Sequence, residues 1–151
     1  MLNFQVRRAT GADLSTVAVL FDGYRQFYGQ AADLPLAEAF LRDRFTHNDS
    51  AVFLAVDPHS GAGLGFVQLY PSFSSVAARR IWILNDLFVA PAARRGGVGR
   101  ALLAAARDFG ASTDARRLVL STAATNREAR ALYESCGYEE EDVFLVYKLE
   151  L

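Results

Sequence analysis

The sequence predicts an α+β domain with one mixed central sheet, and three observations carry that prediction. The first 56 residues carry an alternating run, two helical patterns and a short apolar run. A turn at Asp57–Gly61 then separates two apolar runs, as in an antiparallel hairpin. Beyond it the order strand, helix, strand over 81–121 is a crossover unit, whose strands must be parallel. At 151 residues and 52% hydrophobic, the chain has material for one real core and does not belong to the disordered class. One domain over 1–151 is the expectation. The formal net charge of −1 gives no global pull toward nucleic acid or an anionic membrane. No apolar run approaches a membrane span, and MLNFQVRRAT lacks the apolar stretch of a signal peptide. Cys136 is the one cysteine, so neither a disulfide framework nor a cysteine-rich metal site is expected. Together these point to a reducing cytoplasm.

Phe4–Arg8 alternates apolar and polar, as a half-buried strand does. Thr10 with Asp13 three residues on has the form of a helix N-cap. Leu14, Val17, Ala18, Phe21 and Tyr28 then share a helical face, and Gly29 ends that helix. A second helix spans about Pro35–Phe45, with proline suited to its first turn. Ala51–Val56 and Gly65–Tyr70 are the hairpin strands, and the serine-rich Pro71–Ala78 is expected to be a loop. Ile81–Val89 is the longest apolar strand. A helix over 98–111, a buried strand over Arg117–Ser121, a helix over Asn126–Cys136 closed by Gly137, and an alternating final strand over Phe144–Leu149 complete the order.

The stretch Asp86–Leu103, DLFVAPAARRGGVGRALL, is where the chemistry concentrates. It is a strand, a turn at Pro91, a basic glycine-rich loop and a helix start. Gly96, Gly97 and Gly99 have no Cβ, so a ligand can come close to the backbone. A helix start directs its free N–H groups and the positive end of its dipole to the same spot, which suits a phosphate. Arg94, Arg95 and Arg100 add charge around it. A P-loop would need Gly-Lys-Ser/Thr where the chain has Gly99-Arg100, and a dinucleotide fingerprint would need a third small residue where Leu102 stands.

What remains is Arg-x-x-Gly-x-Gly, met at Arg94, Gly97 and Gly99 directly after a strand. It resembles the acetyl-CoA loop of the GCN5-related N-acetyltransferases. A second match to the same family follows in order, Asn-x-x-Ala-x-x-Leu-Tyr-Glu-x-x-Gly-aromatic, at Asn126–Tyr138. The resemblance covers most of the chain. It implies a sheet of about six to seven strands flanked by about four helices, with strands 81–89 and 117–121 splaying at their C-terminal ends. It implies that acetyl-CoA lies along Leu87, Phe88 and Val89, with its pyrophosphate on Arg95–Arg100, Val98 among them, and with Asn126 and Ala129 on the other side. It implies direct attack of an amine on the thioester, a backbone N–H near Phe88 polarising the carbonyl, and Tyr133 protonating the departing thiolate. A tyrosine, with an ordinary pKa of about 10, holds its proton at neutral pH.

The base is open at this stage. The run Ile-Leu-Asn-Asp-Leu-Phe-Val resembles polyamine acetyltransferases, which carry a Glu-Asp pair where this chain has Asn85-Asp86. Asp86 serves through water, or it fixes the loop, or the amine loses its proton to bulk water. Tyr24, Tyr28, Tyr70, Trp82 and Asn85 are the candidates for lining the acceptor site, with Gln68, Ser72 and Phe73 as further ones. Asp22, Asp33 and Glu38 are candidates for attracting a cationic amine. A small-molecule or peptide amine as acceptor and a homodimer are the expected partners. The alternatives are a non-catalytic acyl-CoA sensor on the same fold and, weighed against the acidic balance elsewhere, a nucleic-acid-binding domain.

Overall fold

The computed structural model describes residues 2–151. The chain divides into two compact units, Met1–Ser121 and Thr122–Leu151. The first holds a sheet in the order β1-β2-β3-β4-β5, formed by β1 (Gln5–Arg8), β2 (Ala51–Val56), β3 (Gly63–Ser74), β4 (Arg79–Val89) and β5 (Leu118–Val119). The first three pairings are antiparallel, and β4–β5 is parallel, as the crossover requires. The mixed α+β sheet of the sequence reading is therefore present.

Helix α1 (Leu14–Phe27) follows a capping box in which Thr10 and Asp13 satisfy each other's backbone. Helix α2 (Leu34–His47) starts on Asp33, whose side chain accepts from Leu36 N, with Pro35 in its first turn. Both lie on one side of the sheet: Phe21 stacks on Phe40 of α2 at 5.4 Å and meets Phe66 of β3 at 6.2 Å. Helix α3 (Val98–Ser112) covers the opposite face. A Cβ at Gly65 would lie 3.2 Å from Val98 and 3.3 Å from Leu102.

Two expectations are corrected. Residues 71–74 are not loop but a continuation of β3, paired from Pro71–Trp82 to Ser74–Arg79. Pro71 is tolerated because β2 ends opposite Leu69, so no ladder needs its missing N–H on that side. The alternating residues 144–149 form no strand. Leu145 is 79% and Val146 93% exposed; alternation makes a strand only where another strand completes its hydrogen bonds. The sheet therefore has five strands among the described residues instead of six to seven, with α4 (Arg127–Ser135) in the second unit as the fourth α-helix. No helix among the described residues is long and apolar enough to cross a membrane.

Candidate functional site

The outer edge of β4 is the first component. Pairing with β5 stops at Ile83–Val119, so no ladder among the described residues covers that edge from Leu84 to Val89. Which backbone groups face it follows from the β3–β4 pairing. Ala90 N donates to Leu64 O at 2.8 Å, and hydrogen-bonded pairs alternate, so Phe88 is turned inward to Phe66. The amides of Leu87 and Val89 therefore face outward. The expected role of the Phe88 N–H is corrected on this ground: its donor is committed to the neighbouring strand.

A bulge decides which side chains stand beside that edge. Gln68 pairs with Asp86 while Leu69 pairs with Leu84, which leaves Asn85 as an extra residue in β4. Side chains alternate faces along a strand, so one extra residue moves everything after it to the other face. Before the bulge, Trp82 faces α3: it is 4.9 Å from Phe109, and its Nε1 donates to Thr113 Oγ1 at 2.8 Å. After it, Asp86 and Phe88 face α1, and Gly23 of α1 leaves room for the Phe88 ring. Trp82 therefore does not stand with Tyr24 and Tyr70, and its expected place in an acceptor site is corrected.

Asp86 is 1% exposed. Its carboxylate accepts from Gln68 Nε2 at 2.6 Å and from Asn85 Nδ2 at 2.8 Å. Burial pushes its pKa above the ordinary carboxylate range, against the pull of hydrogen bonds from Asn85, Gln68 and Tyr24. Tyr24 Oη donates to Asn85 O at 3.1 Å, tying α1 to the bulge. Burial, and next the charge of Asp86, raise the pKa of both Tyr24 and Tyr70 and keep them protonated. Tyr28 stands beside Tyr24 at 5.0 Å. Of the proposed acidic attractors, Asp22 is used in holding Asp33 N at 2.9 Å, and Asp33 caps α2. Two shallow recesses of about 280 and 300 Å³, around Gly63 and around Arg8, include none of the predicted site residues.

The loop after β4 is the second component. A single 3₁₀ turn, Pro91–Ala93, leads to Arg95 at φ +64° and Gly97 at φ +85°, and α3 starts at Val98. Gly97 is the N-cap and has no side chain to cap the opening N–H groups of α3. The space its Cβ would take is open to 4 Å, whereas a Cβ on Gly96 would meet Leu2 at 2.8 Å. Gly97 thus leaves the helix start approachable, while the bareness of Gly96 serves packing. Arg94 Nε donates to Val89 O at 3.0 Å, and its guanidinium lies 5.7 Å from the Phe88 ring. An uncapped helix start at an open glycine, continuous with a free strand edge, fits a phosphate attached to an extended, amide-bearing arm.

In the second unit Asn126 caps α4, its side chain accepting from Ala129 N at 3.2 Å. Tyr133 lies in the last turn of α4, 5.9 Å from Tyr138 ring to ring. Burial first, then Cys136 and Tyr133, pushes the Tyr138 hydroxyl up to about 12.

Comparison with known proteins agrees with this geometry: the family model of the acetyltransferase (GNAT) family matches residues 17–138. The chain belongs to the GNAT acetyltransferases. It is 48% identical over 146 residues to an uncharacterized N-acetyltransferase of Bacillus subtilis, covering 97% of each chain. It is 35% identical to a probable acetyltransferase of Haemophilus influenzae over 92% of both. A crystal structure of a probable acetyltransferase, 39% identical, superposes with a TM-score of 0.92 over 97% of each chain. As a GNAT enzyme the chain is an acetyl-CoA-dependent N-acetyltransferase.

The arginine contact makes a prediction for this GNAT loop. Arg94→Ala removes both a clamp on Val89 O and a charge beside the helix start. It is expected to weaken acetyl-CoA more than dephosphorylated pantetheine thioester, by roughly tenfold for one charge-assisted contact. Calorimetry on the two ligands checks it; equal weakening would reduce Arg94 to a clamp on β4.

Proposed function

We propose that residues 1–151 form one N-acetyltransferase domain that moves an acetyl group directly to a primary amine of a small molecule or peptide. The observation that carries this reading is the outer edge of β4, where the Leu87 and Val89 amides run into the open helix start at Gly97. Leu87, Val89, Arg94, Arg95, Gly97, Val98, Gly99 and Arg100 would hold the cofactor, with Asn126 and Ala129 contributing from the second motif. Acetyl-CoA supplies the activated thioester. The outward amides of Leu87 and Val89 are the donors available to a carbonyl oxygen, the oxyanion role expected of Phe88. Asp86, with its raised pKa, takes the amine's proton through water, and the Tyr133 hydroxyl gives a proton to the leaving sulfur. Support for Tyr133 comes from the Asn126–Tyr138 motif. Thiol release from acetyl-CoA over an amine panel tests the reading, and release with no amine in the panel would sink it.

The base role has a pH signature. Asp86 must be ionised to accept a proton, so kcat/KM rises with pH through its raised pKa. Asp86→Asn should lower kcat/KM by about 10²-fold and remove that acidic limb. A variant that loses rate equally at every pH would make Asp86 a structural residue only.

A homodimer in the cytoplasm completes the proposal. The exposed apolar residues Phe144, Leu145, Val146 and Tyr147 support the dimer, and a sequence whose single cysteine, Cys136, can close no disulfide within the chain suits a reducing compartment. Sedimentation at micromolar concentration checks the dimer.

A further inference from the structure

Asp86 is a buried carboxylate without a countercharge. The side chains that hydrogen-bond it are neutral, the amides of Gln68 and Asn85 with the Tyr24 hydroxyl beside them, and no ion pair among the described residues includes it. Beside it, Gln68 Oε1 is fully buried and has no donor. Arg44, the cation that acts on the neighbouring Tyr70, is itself paired with Asp49 at 2.8 Å. An ionised carboxylate held this deep is costly until a cation joins it. The cluster is short of positive charge and of donors, and an ammonium supplies both.

A route to it lies on α1. Tyr24, half-buried, touches the bulge through its hydroxyl. Tyr28 lies 5.0 Å from Tyr24 and is 53% exposed; Phe27 lies 5.3 Å from Tyr28 and is 58% exposed. This run of rings leads from solvent toward Asp86. Exposed rings of this kind contribute little to the core, but their faces attract cations and cover methylene chains.

We propose that this aromatic run selects the acceptor, a primary amine on a flexible apolar stem, the stem lying on Phe27 and Tyr28 and the ammonium drawn past Tyr24 toward Asp86. The proposal rests on the amine-acetylation reading above and adds the substrate class to it. A polyhydroxylated amino sugar would need polar partners along the run, where Phe27 offers none and Tyr24 and Tyr28 offer one hydroxyl each. A peptide N-terminus would bring backbone amides with the same need.

The test is thiol release from acetyl-CoA by the full chain with hexamethylenediamine, kanamycin, or a short peptide with a free N-terminus. The diamine should give the highest kcat/KM. Tyr28→Ala should raise its KM roughly three- to thirtyfold, the worth of one cation–aromatic contact, while kcat and the KM for acetyl-CoA hold. Tyr28→Phe should keep the wild-type KM, since the ring carries the contact. Preference for kanamycin or the peptide, or a diamine KM indifferent to Tyr28→Ala, would overturn the selection while leaving amine acetylation standing. Release with none of the three amines would overturn both.

Discussion

Tyr133→Phe is expected to lower turnover by about 10²–10⁴-fold, the usual loss on removing a general acid. The substitution deletes one hydroxyl and keeps the ring that lies 5.9 Å from Tyr138, so the packing of α4 stays. Thermal stability and acetyl-CoA affinity should change little. Burst and steady-state kinetics on the best acceptor, with calorimetry for acetyl-CoA, separate the outcomes. A loss of kcat at constant Kd assigns the proton to Tyr133. Full turnover would leave proximity and the Leu87 and Val89 amides as the sources of rate. A fall in affinity with kcat intact would make Tyr133 part of the binding surface instead.

Gly97→Val should cost acetyl-CoA affinity on the order of 10²-fold. Two effects act together. Gly97 sits at φ +85°, where a β-branched residue carries strain of roughly 1–2 kcal/mol. Its side chain would also fill the open space in front of the helix start. Losing one charge-assisted contact of about 1.5–3 kcal/mol accounts for a ten- to hundredfold weaker Kd. Because nothing lies within 4 Å of that Cβ, the core is not disturbed and circular dichroism should report a folded protein. Unchanged affinity in a folded variant would refute the phosphate cradle.

Different parts of the fold and site were legible to different degrees. Both helix starts of the N-terminal half were readable because their signals are local: Thr10 with Asp13, and Pro35 in a first turn, each act within one turn, whereas the Asp33 cap was taken for a charge attracting an amine. The positive φ of Gly29 and Gly137, which end helices, was readable for the same reason, while that of Gly97 came from the structure. The final strand was not, because residues 144–149 carry the alternation of a strand but lack the neighbour that would make them one. Trp82 was misassigned for a related reason. Its residue type suits an acceptor site, but its face depends on a bulge that leaves no mark in the alternation of Ile81–Val89.

The sequence by itself determined the family, the parallel crossover and the loop that suits a phosphate. These rest on residues close along the chain, where spacing alone sets geometry. Only the tertiary structure decided which amides of β4 are free and which side chains meet at Asp86. The single extra residue Asn85 turns Asp86 from the α3 face to the α1 face, where Tyr24 and Tyr70 stand. That choice follows from the register between two strands, and register is a property of the pair.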